Sequence, residues 1–143
     1  MYWALPNLWL MTTIFDNPAG VPAPPPGRYS HVARVDLGEK VLLLLSGQVA
    51  ADEHGGLIGP DDMTAQTATI FDRISTILAA HGASFDDVVN IRSYLTDIGR
   101  IAEYGTVRRK YLNEAALPTS TTVEVSGLFI PGALLEVEVT AVI

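Results

Sequence analysis

Two acids near the C-terminus have the type and spacing for proton-transfer chemistry. Over residues 134–142, Leu135, Val137, Val139 and Ala141 alternate with Glu136 and Glu138. A strand there puts the apolar set on one face and both carboxylates on the other, roughly 7 Å apart at about 3.4 Å per residue. A carboxylate held in a cleft by such a strand can act as general acid or base toward water. The same alternation also suits the solvated face of a half-exposed sheet, and both readings stay open. Over residues 119–125 the period of two groups Ser120, Thr122 and Glu124. Their hydroxyls can orient a water or a carbonyl, although threonine is ordinary in strands. A third signal lies in residues 101–115, where Ile101, Tyr104, Val107, Tyr111, Leu112 and Ala115 fall on one helical arc that also contains Arg108. An inward guanidinium requires a carboxylate from the protein or from a ligand, because an uncompensated buried charge is costly.

Other chemistries lack their residues. The sequence has no phosphate-binding glycine loop with lysine, no G-x-G-x-x-G, no G-x-S-x-G and no H-E-x-x-H. Cysteine is absent, which excludes disulfides, thiolate metal sites and cysteine nucleophiles. His31, His54 and His81 lie far apart along the chain, so no metal site is expected. Nine basic against sixteen acidic residues give a net charge of −7, a field that repels nucleic acid and anionic membranes. The longest aliphatic run, residues 41–45, is far short of the roughly 20 residues of a membrane span. Small-molecule chemistry in a reducing cytoplasm fits this composition.

The elements that must position these residues follow from pattern. At 143 residues, 48% hydrophobic and 17% charged, the chain has the size and composition of one folded domain. Residues 1–26 read as an extended, proline-rich arm, with Pro18, Pro22, Pro24, Pro25 and Pro26 concentrated near its end. Met11 looks a more natural beginning than Met1, and residues 1–10 carry no part of the functional argument. The domain proper spans 27–143. A hairpin over about 29–46 turns at Gly38-Glu39-Lys40. Met63, Thr67, Ile70, Phe71, Ile74, Ile77 and Leu78 recur at helical spacing, with Asp61 or Asp62 before them and Gly82 after. A strand at 89–95, the helix at 101–115 ended by Leu117-Pro118, and strands at 119–125 and 134–142 complete the chain. The order β-β-α-β-α-β-β predicts an α+β sandwich of two layers, with both helices on one face of a mixed sheet.

Six segments in this order resemble the RidA family, also called YjgF or L-PSP. They are Gly27-Arg28-Tyr29-Ser30-His31, Ser46-Gly47-Gln48, Gln66, Gly82-Ala83-Ser84-Phe85-Asp86-Asp87-Val88-Val89, Pro118-Thr119-Ser120-Thr121-Thr122-Val123-Glu124-Val125 and Leu135-Glu136-Val137-Glu138. The resemblance implies a chorismate-mutase-like fold assembled as a homotrimer with clefts between subunits. It also implies hydrolysis of enamines and imines released by amino-acid-metabolising enzymes to the keto acid and ammonia, without metal or cofactor. Carried over by position, Tyr29 lines the cleft, Ser46 and the Gly47 backbone hydrogen-bond the substrate, and Glu136 positions the water.

One position departs from the family. The arginine that clamps the substrate carboxylate two residues after the proline of the penultimate strand is Ser120 here, and the cysteine two further on is Thr122. Losing a charged fork removes about 2–5 kcal/mol of binding. Arg108, aligned with an asparagine of the family's second helix, is then a candidate for a relocated anchor. The stretch from Gly27 to Arg34 also looks like that of 2-aminomuconate deaminases, a branch of the same superfamily. The readings to separate are therefore a cofactor-free deaminase or related hydrolase, a trimer that binds a small ligand or partner without turnover, and an aminomuconate-type enzyme. Ribonuclease activity, reported for some members, is disfavoured by the charge.

Overall fold

The computed structural model describes residues 11–143; residues 1–10, set aside above, lie outside the described residues. The strands are β1 (Thr13–Asp16), β2 (Val32–Asp36), β3 (Val41–Leu45), β4 (Gln48–Val49), β5 (Val88–Leu95), β6 (Thr119–Glu124) and β7 (Leu135–Val142). The helices are α1 (Met63–Ala80) and α2 (Ile101–Arg108). One mixed sheet runs β1-β2-β3-β7-β5-β6, with β4 also paired to β7. Only β5 and β6 run parallel, joined across α2; every other pairing is antiparallel. The α+β two-layer arrangement read from the sequence is what the structure has.

α1 forms where the sequence caps it. The Asp62 carboxylate accepts from Ala65 N at 2.9 Å, taking up one of the donors left over at a helix start. At the other end Gly82 takes φ +76°, and the amides of Gly82 and Ala83 return to Ala79 O and Leu78 O at 3.1 and 2.9 Å. This left-handed closure strongly favours glycine. Between the caps, Met63, Ile70, Phe71, Ile74, Ile77 and Leu78 are fully buried. They pack against the face of the sheet presented by Leu43, Ile91, Leu135, Val137, Val139 and Ala141. Phe71 stacks on Phe85 at 5.3 Å between ring centroids and meets Tyr111 at 5.1 Å.

Two elements differ from expectation. The sheet recruits residues 13–16 from the stretch read as an arm, with Thr13 opposite Val35 and Asp16 opposite Val32. His81 at the end of α1 pins this strand, its Nε2 lying 3.1 Å from Asp16 Oδ2. The second helix stops at Arg108 rather than near Ala115. Its ladder tightens there, Lys110 N and Tyr111 N bonding three residues back to Val107 O and Arg108 O at 3.0 and 3.1 Å. The apolar arc continues without the helix, because these turns still deliver Tyr111 and Leu112 to the core.

Among the described residues no helix or second sheet covers the other face of the sheet. Leu42 and Leu44 of β3, Arg92 and Tyr94 of β5, and Glu136, Glu138 and Thr140 of β7 share that face by register. Phe15 and Leu44 are 69% and 44% exposed there. Among the described residues no helix is long and apolar enough to cross a membrane.

Candidate functional site

Glu136 and Glu138 stand on the same face of β7, and their surroundings separate them. Glu138 Oε1 accepts from Arg92 Nη1 at 3.1 Å and from the Tyr94 hydroxyl at 2.9 Å. Glu136 forms no hydrogen bond or ion pair among the described residues. Burial, then the negative charge of Glu138, push its carboxyl above the ordinary value. A carboxyl of this kind holds its proton to higher pH than a solvated one and is suited to exchanging that proton with a reacting group.

Gly47 lets Glu136 sit where it does. In the link from β3 to β4, its backbone lies directly against the Glu136 carboxyl, and any Cβ at this position would collide with Oε1. The Gly47 N–H donates to no protein acceptor among the described residues, leaving it free for a ligand. Ser46 beside it donates its hydroxyl to Ser30 O at 2.6 Å, which fixes the oxygen as an acceptor facing outward. Tyr29 is half exposed at the rim, its hydroxyl raised above the ordinary value by burial and then by Glu136, so it stays a donor. Below it, the His31 ring is locked. Nε2 donates to Pro22 O at 2.8 Å, since a carbonyl only accepts, and Nδ1 faces the Gln48 amide at 3.3 Å. The proline-rich stretch is thereby tied down over β4.

These groups line one cavity of about 700 Å³, walled by residues 22–26 on one side and by Phe129 and Ile130 on another. Tyr29, Ser46, Gly47 and Glu136, four of the residues read from the sequence, converge there. The other three do not. Ser120 and Thr122 stand opposite Ile91 and Ser93, on the helix side of the edge strand β6. Arg108, at the end of α2, has a buried Nε without a partner and no ion pair among the described residues. Burial pushes the nearby Tyr104 hydroxyl above its ordinary value, offset in part by its 2.5 Å bond with Ser93 Oγ and then by the charge of Arg108.

His31 and His54 both line the cavity, His54 exposed beside Glu53, whereas His81 lies on Asp16. Among the described residues no three His, Asp or Glu side chains cluster as metal ligands. Sequence reasoning missed Arg73, which also lines the cavity. The usable signal was its place on α1, one turn from Ile70 and Ile77, at the border of the buried stripe.

Comparison with known proteins places this geometry in a family. The family model described as Endoribonuclease L-PSP matches residues 21–143. Protein DfrA of Myxococcus xanthus is 34% identical over 117 residues, 81% of this chain and 86% of that protein. TdcF of Escherichia coli strain K12, whose name provisionally calls it a reactive intermediate deaminase, is 31% identical over 114 residues, 78% of this chain and 85% of that protein. Among solved structures, the Rid-family protein YyfA of Yersinia pestis superposes with a TM-score of 0.81 at 27% identity, covering 92% of this chain and 100% of that one. RidA of an Antarctic Psychrobacter gives 0.72 at 32% identity, covering 86% and 94%. The match runs from residue 21 to residue 143, and the chain belongs to the L-PSP family, the proteins also called RidA and YjgF.

Proposed function

We propose that this protein is a cofactor-independent hydrolytic deaminase of small imines and enamines, working in a cleft that a neighbouring copy completes in a homotrimer. The observation that carries the reading is Glu136, an unpartnered, half-buried carboxyl set against the free Gly47 amide inside a cavity. A protonated imine is already electrophilic, so its hydrolysis needs a placed water and a proton acceptor. Glu136 takes a proton from water as the oxygen–carbon bond forms, and returns it to the nitrogen of the carbinolamine. The C–N bond then breaks and ammonia leaves as Glu136 takes the remaining hydroxyl proton, so that the carbinol oxygen becomes the carbonyl, and that proton passes to the ammonia or to solvent. An enamine first takes a proton at carbon, for which the neutral form of Glu136 is suited. Water and the imine supply every atom, and no oxidation state changes.

The uncovered sheet face, with Phe15 and Leu44 exposed, supports association through that face. In such an assembly Ser120, Thr122 and Arg108 reach a cleft only from the neighbouring copy. Ser120 favours a second reading, a trimer that binds its ligand without turnover. The nuclease in the family description is opposed by the charge of −7. The test generates imines in situ with an amino-acid oxidase and follows carbonyl release by wild type, Glu136→Gln and Ser120→Arg. Wild-type turnover lost in Glu136→Gln supports the deaminase. Turnover seen only with Ser120→Arg selects the binding protein.

A further inference from the structure

We propose that the Glu136 cavity takes C=N compounds without a carboxylate, the iminium ions of oxidised apolar amines, in preference to imino acids. This rests on the reading of the cavity as the deaminase site and departs from the imino-acid substrates that the family resemblance implies. The Asp, Glu, Lys and Arg side chains that line the cavity are three acids, Asp52, Glu53 and Glu136, and a single arginine, Arg73. Arg73 is committed to the backbone, Nη1 donating to Val49 O at 2.7 Å and Nη2 to Ala51 O, and the charge of Asp52 also acts on it. His54, exposed in this lining, lies 3.4 Å from Glu53 Oε1. On the strand where the resemblance places a clamping arginine, Ser120 offers a neutral hydroxyl. A carboxylate entering the cavity therefore meets an excess of negative charge, within a chain of net charge −7.

The same lining favours a cation. Hydrolysis proceeds from the protonated imine, and in an imino acid that positive charge is cancelled by the adjoining carboxylate. An iminium R–CH=NH2+, left when a neutral primary amine gives up a hydride to a flavin or a nicotinamide, keeps a net positive charge. Glu136 has no ion pair among the described residues, so no basic side chain there competes with such a ligand for it. Attraction between the two is stronger beside a half-buried carboxyl than in bulk water. A cation there also opposes the burial and the Glu138 charge that raise this carboxyl, and so favours its ionised form. The substituent R meets apolar surface, since Phe129, Ile130, Pro24 and Pro25 line the same cavity. Phe129 is 85% exposed and free to cover an aliphatic tail.

The probes share an isobutyl tail: 3-methylbutanamidinium, a stable planar cation in place of the iminium; 4-methylpentan-2-one, which is neutral; and 4-methyl-2-oxopentanoate, the carbonyl product of an imino acid. Dissociation constants are measured by ligand-detected NMR on wild type, Glu136→Gln and Phe129→Ser, with thermal melts verifying folding. The wild type is expected to rank amidinium above ketone above oxo acid, with at least about tenfold between the ends and less at high salt. Glu136→Gln should close most of the gap between amidinium and ketone while leaving the ketone bound; a merely structural role would weaken the ketone too. Phe129→Ser should weaken all three alike. An oxo acid bound as tightly as the ketone, a cation preference that survives Glu136→Gln, or affinities untouched by Phe129→Ser would each overturn the assignment. Turnover is compared on the imine of 3-methylbutylamine, made by a flavin amine oxidase, and that of leucine, made by an amino-acid oxidase. The amine-derived imine should show the larger kcat/KM, and the reverse order would also count against the assignment. If the binding order holds but neither imine is hydrolysed faster with protein present, the deaminase reading fails and the selectivity stands.

Discussion

The two faces of the sheet are built from the same alternating strands, and they differ in what covers them. Under α1, each inward position from Leu135 to Ala141 of β7 is closed over by aliphatic and aromatic side chains. On the other face the intervening positions carry Glu136, Glu138 and Thr140, with Arg92 and Tyr94 beside them and no second layer. One face therefore supplies folding energy, and the other is left to hold charge near a cavity and, in the proposed trimer, to meet another chain. A single strand, β7, serves both, so the two roles can be perturbed separately by moving one residue along it.

The largest expected effect comes from the bare face. Glu136→Gln should lower turnover by about 10²–10⁴, the usual contribution of a positioned proton-transfer group, measured with imines generated in situ. The same change should leave the core intact. Next, Phe71→Ala under α1 should destabilise the fold by about 3–5 kcal/mol, read as a lowered midpoint in denaturant, because a fully buried ring stacked between Phe85 and Tyr111 is removed. If Phe71→Ala and Glu136→Gln unfolded at the same midpoint, the division of labour between the faces would be wrong.

Leu44→Asp should shift the assembly toward monomers by sedimentation while changing secondary structure little, since Leu44 projects from the uncovered face. A trimer that survives this change would place the interface elsewhere. Smaller effects distinguish the two acids. Glu138→Gln removes a negative charge that raises the Glu136 carboxyl, so the acid limb of the pH–rate profile should move to lower pH. A raised carboxyl binds its proton more tightly folded than unfolded, so its contribution to stability is present at low pH and lost as pH rises through the folded value. Glu136→Gln should accordingly raise the melting temperature slightly near neutral pH and have less effect below the ordinary carboxyl range.

Much of this was legible in the sequence because periodicity reports burial. The alternation of β7 identified both the core face and the two acids, and the caps at Asp62 and Gly82 set the ends of α1 to within a residue. Strand β1 was not legible, since four residues flanked by prolines carry little pattern and its pairing with β2 is a tertiary event. The length of α2 was overread because Tyr111 and Leu112 keep their spacing after the helix has tightened into turns. For the site, Tyr29, Ser46, Gly47 and Glu136 line one cavity. Arg108, Ser120 and Thr122 share the opposite side of the sheet, because β6 is parallel to β5 and its alternate positions follow those of Ile91 and Ser93. Arg73 escaped notice because a basic residue on the flank of an amphipathic helix is ordinary, and what distinguishes it is the pair of carbonyls it meets.

The contact between Glu136 and the backbone of Gly47 makes the cavity brittle at one point. Tyr29 or Ser46 can be trimmed by degrees, since each contributes a side chain whose shortening leaves room. At Gly47 the smallest possible enlargement, a single methyl, already displaces the carboxyl. Remodelling the cavity for bulkier ligands therefore has to begin elsewhere in its lining, where Phe129 and the prolines offer matter to carve away.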